Sequence, residues 1–185
     1  MAIDKKQLTE DLRRVFITRG YDGATLAHLS ASTGLSKASL YHHFPGGKPE
    51  MAAVSVRDAI SRLQQLAYHH FLNLPPQKAL AGFLEGYTEY VDYGRSNCLL
   101  AILINHATAH EDILDLQVLI TKQFFDWHAI LTQAFEGCGY KSKKAERMAH
   151  ELIAQIHGAL LNAKLHNNAK LFSKAMTRLS AQLAT

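Results

Sequence analysis

Apolar side chains recur at helical spacing along almost the whole chain, and glycine or proline residues separate one apolar stretch from the next. The 185 residues include only 4 prolines and 11 glycines, and these lie between the periodic segments. Apolar residues at positions i, i+3, i+4 and i+7 indicate amphipathic helices, and we find no strand pattern. Because 48% of the residues are hydrophobic, the chain can form a packed core. The pattern predicts an all-α fold of about nine helices.

The glycine and proline breaks also give the bounds of the predicted helices. These helices cover residues 5–19, 26–33, 36–44, 49–74, 77–93, 97–107, 111–136, 142–165 and 168–183. The fourth would be a rod of roughly 39 Å at the usual rise per residue, and it joins the first three helices to the rest. The seventh is apolar on nearly all sides, which is typical of a buried central helix.

Residues 25–48 have the pattern of two short helices joined by a tight turn. Thr25 and Ser36 are good N-cap residues, and Gly34 can take the positive φ that the turn needs. The second helix is rich in hydrogen-bond donors and poor in large apolar residues, so it suits a DNA groove better than a core. Its first basic residue, Lys37, lies where recognition helices read bases, and Lys48 can neutralise a further phosphate. The alternative interpretation is an ordinary helical hairpin with a polar surface.

The run GLSKASLYHHF followed by GGK resembles the signature of TetR-family transcriptional regulators, and the PGGK turn resembles the LmrA-like subgroup. The similarity covers residues 5–60; Ser30 departs from it, since alanine is usual there. The resemblance implies a one-component repressor that binds a palindromic operator in double-stranded DNA as a homodimer. Residues 1–48 would form a three-helix DNA-binding domain, and residues 49–185 a larger ligand-binding and dimerisation body with 49–74 as connecting helix. The DNA contacts that it implies are Thr25, Ser36, Lys37, Ala38, Ser39, Tyr41, His42 and Lys48.

Aromatic and polar residues on otherwise apolar helices of the body are candidates for binding a small-molecule effector. A cavity lined by such groups would suit a flat, partly aromatic molecule, although each of them could equally be a core or surface residue. The candidates are Tyr87, Tyr90, Cys98, His106, His110, Phe124, Trp127 and His128. For the homodimer, the resemblance implies an interface on the last two predicted helices, formed by Leu152, Ile156, Ala159, Leu160, Ala163, Phe172, Met176 and Leu179.

The sequence favours neither an enzyme nor a metalloprotein. His106 and His110 are four residues apart and could chelate an ion, but no third ligand is evident, so we expect no metal. No P-loop, G-x-S-x-G or G-x-G-x-x-G motif occurs, and we expect no cofactor. Two alternatives remain open: a ligand-independent DNA-binding protein, and a helical enzyme or carrier of apolar molecules.

The location of the protein is also predicted from the sequence. The longest apolar run, Cys98–Ile104, is far shorter than the roughly 20 residues that span a bilayer. The N-terminus lacks the apolar core of a signal peptide. We therefore expect a cytoplasmic protein that does not bind membranes, with Cys98 and Cys138 reduced.

Overall fold

The computed structural model describes residues 4–107 and 110–183, and this part of the chain is helical with no β-strand. The predicted all-α fold, with an N-terminal helix-turn-helix followed by a helical body, is confirmed. The ends of the two predicted domains, residues 1–3 and 184–185, lie outside the described residues. The helices are α1 (Lys5–Gly23), α2 (Leu26–Thr33), α3 (Lys37–His43), α4 (Gly47–Leu63), α5 (His70–Asn73), α6 (Pro76–Tyr90), α7 (Leu99–Ala107), α8 (Leu114–Gly137), α9 (Ser142–Leu165) and α10 (Ala169–Leu183).

One predicted helix is interrupted. The prediction of a single α-helix over residues 49–74 is wrong, because α4 ends at Leu63 and a π-helical segment, Gln64–Tyr68, follows it. Gly86 on α6 lies against the backbone of that segment, and a Cβ atom at Gly86 would fall on the Leu66 carbonyl group. π-Helical turns of this kind often occur at functional sites, and no local sequence signal marks this one.

The chain divides into two compact units, which differ from the two predicted domains. The first unit comprises Met1–Ser61 and Asn97–Lys122, and the second comprises Arg62–Ser96 and Gln123–Thr185. The first is larger than a helix-turn-helix because α7 packs on α1. The predicted boundary after residue 48 falls inside this compact unit, within the first turn of α4.

The core of the first unit forms where α1 packs on α2 and α7, and an ion pair adds to it. Its fully buried residues include Leu12, Phe16, Leu29, Leu40 and Met51. Arg13 on α1 is buried, and its Nε atom lies 3.2 Å from Asp58 Oδ2 on α4. These contacts fix the angle at which the short helices α2 and α3 are held.

The core of the second unit is built from α6, α9 and α10. Helix α10 packs on both α6 and α9, and the buried side chains of these helices include Leu80, Leu84, Ile156 and Phe172. No helix of the described residues is both long enough and apolar enough to cross a membrane.

Candidate DNA interface and ligand cleft

The turn between α2 and α3 has the geometry that its residues predict. Thr25 Oγ1 accepts a hydrogen bond from the His28 N–H at 3.2 Å, and Ser36 Oγ accepts one from the Ser39 N–H at 3.1 Å. Gly34 has a φ of 69°, in the left-handed region where glycine is favoured. The predicted N-caps and turn glycine are therefore confirmed, and the two helices begin where the sequence indicates.

The exposed side of α3 carries most of the predicted DNA contacts. Tyr41 is 47% exposed, and its ring lies beside Gly47, where a Cβ atom would be 3.3 Å from Tyr41 Cε1. Ser39 and Lys48 are partly buried. The remaining predicted contacts are exposed: Thr25, Ser36, Lys37, Ala38 and His42. Basic, hydroxyl and aromatic groups are thus presented together on one short helix and at its start.

Lys48 has a second set of contacts that the sequence did not predict. Its Nζ atom donates a hydrogen bond to the Tyr21 carbonyl oxygen at 3.2 Å and lies 4.1 Å from the centre of the Tyr21 ring. A lysine over an aromatic ring is attracted by the electrons of the ring face. Lys48 therefore holds the start of α4 to the end of α1, a structural role beside the predicted phosphate contact.

Tyr21 also connects the end of α1 to the segment that follows α7. Its hydroxyl donates a hydrogen bond to Asp112 Oδ2 at 2.8 Å, and its ring centre lies 5.4 Å from that of His110. Burial, together with the Asp112 carboxylate, raises the pKa of Tyr21 above its ordinary value. The tyrosine therefore stays protonated and keeps donating its hydrogen bond at any physiological pH.

Two predicted ligand-binding residues, His106 and His110, converge on a carboxylate that the sequence did not single out. Asp22 Oδ2 lies 3.1 Å from His106 Nδ1, and Asp22 Oδ1 lies 2.8 Å from His110 Nε2. Gly20, with a φ of 66°, leaves room for one ring, since a Cβ atom there would be 2.7 Å from His106 Nε2. His106 is the residue before the end of α7, whereas His110 is in extended backbone. The two histidines therefore do not lie on one helical face, because α7 ends at Ala107 and His110 lies beyond it.

A cleft of about 700 Å³ lies within the second unit, between the chain following α4 and one face of α8. Its volume is in the usual range for small-molecule sites. Aromatic and aliphatic side chains form most of the wall, and amide, carboxylate and imidazole groups add polar positions. The lining residues are Gln64, Tyr68, His69, Phe71, Leu72, Leu74, Pro76, Ala79, Gln123, Asp126, Ala129, Ile130, Gln133 and Ala134.

None of the eight predicted ligand-binding residues is among those lining residues. Cys98 is buried in the first unit, which also holds the histidines paired with Asp22. The polar residues of the cleft on α8, Gln123, Asp126 and Gln133, recur at helical spacing beside the apolar residues Ala129 and Ile130. That polar stripe was the signal that the sequence reasoning missed.

The predicted residues of the second unit do not line the cleft and fall into three groups. Trp127 stacks on Tyr68 at 5.6 Å and meets Phe124 at 4.8 Å, so it supports the aromatic wall without lining it. Its Nε1 atom is buried and has no hydrogen-bond partner among the described residues. His128 lies elsewhere on α8, with its ring 3.7 Å from that of His150 on α9.

Tyr87 and Tyr90 belong to the core of the second unit, with their ring centres 5.9 Å apart. The Tyr87 hydroxyl lies 3.2 Å from His157 Nε2, and His157 Nδ1 lies 2.9 Å from the Ile153 carbonyl oxygen. Since a carbonyl can only accept, Nδ1 carries the proton and Nε2 accepts from Tyr87. Burial lowers the pKa of His157, which favours this neutral form.

The predicted dimer-interface residues are mostly covered by their own chain. Ala159 is partly buried, and the other seven are buried: Leu152, Ile156, Leu160, Ala163, Phe172, Met176 and Leu179. Such side chains have little surface left for a second copy of the chain. On α9, however, Leu161 and Leu165 are 61% and 75% exposed, and a Cβ atom built on Gly158 would meet nothing within 4 Å.

The fold and the exposed α3 define a helix-turn-helix protein, and comparison with known proteins identifies its family. Residues 8–58 match the family model of bacterial regulatory proteins of the tetR family. Residues 76–178, more than half of the chain, match the C-terminal domain of LmrA/YxaF-like transcriptional regulators. The chain therefore belongs to the TetR family, with an LmrA/YxaF-like C-terminal domain, and it is a DNA-binding transcriptional regulator. Both the family and the subgroup suggested by the sequence are confirmed.

Individual relatives agree with this assignment. The transcriptional repressor DhaR of Mycobacterium sp. strain GP1 is 23% identical over 184 residues, which are 94% of this chain and 88% of DhaR. The transcriptional repressor AcnR of Corynebacterium glutamicum is 29% identical, over 46% of this chain and only 43% of AcnR. A TetR transcriptional regulator from Legionella pneumophila has the same fold, with a TM-score of 0.83, 16% identity and coverage of 98% and 97% of the two chains. These relatives are described as transcriptional regulators, in agreement with the prediction that the chain is not an enzyme.

Proposed function

We propose that the protein is a repressor that binds a palindromic operator as a homodimer and is released by a small molecule. The observation that carries this proposal is the exposed face of α3, where Lys37, Tyr41 and His42 project from a correctly capped helix. Two such helices in a dimer would enter successive major grooves, about 34–36 Å apart. Both DhaR and AcnR are described as repressors, which supports the same sign of regulation. A repressor of this kind acts on chromosomal DNA, so we expect it in the cytoplasm.

The effector site that we propose is the cleft of the second unit and not the residues expected from the sequence. Its aromatic wall around Tyr68 and Phe71 suits a flat apolar molecule, and Gln123 is a buried amide that could orient the molecule by hydrogen bonding. The chain runs directly from α4 of the helix-turn-helix unit into the π-helical segment, whose Gln64 and Tyr68 line the cleft. An effector can therefore act on a segment that is covalently continuous with α4.

An effector releases DNA only if it prefers the conformation that does not fit the operator. A tenfold preference is worth about 1.4 kcal/mol, and a ligand with equal affinity for both conformations changes nothing. Effector binding must therefore weaken operator binding by the same factor by which the operator weakens effector binding.

For the homodimer, we propose the exposed stripe of α9 in place of the buried face. Ala154, Gly158, Leu161 and Leu165 recur every three or four residues, so they lie along one side of the helix. Small residues at 154 and 158 would allow a second helix to approach closely, and the two leucines would supply the apolar contact.

The experiment that tests the proposal is selection of bound sequences from random DNA duplexes, followed by gel-shift titration. We expect a palindrome, and a loss of roughly 1–3 kcal/mol of binding free energy on Lys37→Ala if this lysine reads a base. Lys78→Ala removes an exposed lysine of α6 and should leave the affinity unchanged. Recovery of no common sequence, with equal binding of wild type and Lys37→Ala, would refute an operator-specific repressor and favour a sequence-independent DNA-binding protein.

A further inference from the structure

We propose that Asp22, His106 and His110 form a binding site for a divalent transition-metal ion of the zinc type. One carboxylate oxygen and two imidazole nitrogens offer ligand atoms that all lie within 4.8 Å of one another. All three residues belong to the first compact unit. The proposal goes beyond the proposed function and does not rest on it, because metal binding can be measured without DNA or effector.

The distances are close to those that a bound ion requires. Zinc lies about 2.0–2.1 Å from imidazole nitrogen, so neighbouring ligand atoms of a tetrahedral site are about 3.4 Å apart. The Asp22 carboxylate oxygens already lie 3.1 and 2.8 Å from His106 Nδ1 and His110 Nε2. Rotations of the three side chains could bring these ligand atoms, which all lie within 4.8 Å of one another, onto one ion.

The identity of the donors selects the class of metal. Imidazole suits zinc and its neighbours in the first transition row, whereas magnesium and calcium prefer oxygen donors, and copper(I) prefers thiolate. Two imidazoles and one carboxylate leave a fourth position for water, as in many zinc sites that exchange a ligand. The side chains are between 31% and 59% exposed, so an ion can enter from solvent.

Without metal, the cluster is held by hydrogen bonds from the two imidazoles to Asp22. Coordination through His106 Nδ1 would move the proton of that ring to Nε2, on the side where Gly20 has no side chain. The carboxylate would then contact the ion instead of the N–H groups. An ion in this position would connect the kinked end of α1 to His106 at the end of α7 and to His110.

Cobalt(II) provides the direct test, because its visible absorption reports tetrahedral nitrogen and oxygen ligands. We expect the full-length protein, stripped with a chelator, to bind one equivalent of cobalt, and zinc to displace it. Asp22→Asn keeps the size of the side chain and removes its charge, and His106→Gln removes one donor. Removing a residue that only hydrogen-bonds to a metal ligand typically lowers metal affinity 10–100-fold. Because each variant here loses a ligand itself, we expect its zinc affinity to fall at least about 100-fold.

His128→Gln is the matched control, because His128 also lies beside another histidine, His150, but is not part of a carboxylate cluster in the described residues. It should bind cobalt like the wild type. Zinc should also raise the thermal midpoint of the wild type and of His128→Gln and leave that of Asp22→Asn unchanged. Circular dichroism without metal establishes that each variant is folded. Absence of saturable cobalt absorption in the wild type, or unchanged affinity in folded Asp22→Asn, would overturn the proposal.

Discussion

The dimer interface gives the sharpest prediction, because two leucine-sized positions on the same helix should respond in opposite ways. Leu161 is 61% exposed in the single chain, whereas Ile156 is 1% exposed. A charge at position 161 should separate the protomers and leave each folded. A charge at position 156 should unfold the protomer, because it would be enclosed in the core of its own chain.

The magnitude for Leu161→Asp follows from its exposed surface. Complete burial of a leucine is worth about 1.5–3 kcal/mol, so burying the 61% that remains exposed contributes about 1–2 kcal/mol per protomer. Both copies lose this contribution, which makes about 2–4 kcal/mol per dimer. The dissociation constant should then rise by a factor of roughly 30 to 1,000. For Ile156→Asp, a buried charge without a partner costs enough to be a large part of a typical stability of about 5–15 kcal/mol.

Sedimentation velocity over a range of concentrations, together with circular dichroism, measures both effects. Leu114→Asp is the matched control, since Leu114 is 52% exposed at the start of α8, outside the proposed interface. We expect dimers for the wild type and Leu114→Asp, folded monomers for Leu161→Asp, and loss of helical structure for Ile156→Asp. If Leu161→Asp stays dimeric and Ile156→Asp is a folded monomer, the reasoning is refuted. That result would instead support the interface residues that the sequence predicted.

Substitutions at three further positions test the backbone and the core. Gly86→Ala should destabilise the protein by about 1–3 kcal/mol in urea unfolding, because its Cβ would meet the backbone at Leu66, which cannot rotate away. An unchanged free energy of unfolding would mean that the π-helical segment does not pack against Gly86. Gly34→Ala should cost about 1–2 kcal/mol from its positive φ alone, since a Cβ there meets nothing within 4 Å, and Gly34→Asn should cost less. Burial lowers the pKa of His157, so the unfolded chain binds a proton first, and stability should fall as the pH drops from about 6.5 towards the lowered folded pKa. His157→Gln should reduce this loss in unfolding curves recorded between neutral and mildly acidic pH, and an unchanged pH dependence would show that other groups cause it.

The sequence predicted best those features that depend on neighbouring residues. Thr25 and Ser36 cap helices through hydrogen bonds to N–H groups three residues away, and Gly34 is required by a local backbone angle. Such signals need no knowledge of the rest of the fold. The predicted bounds of α9 also agree with the structure at both ends.

The sequence could not identify the interface or the cleft, because both depend on which surfaces the chain itself covers. Helix α9 has two apolar stripes, one that includes Ile156 and another that includes Leu161, and helical periodicity gives no means of deciding which one faces the core. Periodicity also could not identify Asp22 as a partner of His106 and His110, because it is more than 80 residues from them along the chain. Only the packing of α1 on α7 brings these three residues together.

The first unit joins the region beside the DNA-binding helix to the proposed metal cluster through one residue, Tyr21. Lys48 of α4 contacts the carbonyl group and the ring of Tyr21, and on the other side the same tyrosine contacts Asp112 and the ring of His110. Tyr21 is buried, and its contacts with Lys48 on one side and with Asp112 and His110 on the other fix its position. An ion that fixes His110 to the end of α1 would therefore also restrict the start of α4. The path is short and consists of direct contacts, so a change at this cluster can reach α4 within the first unit alone.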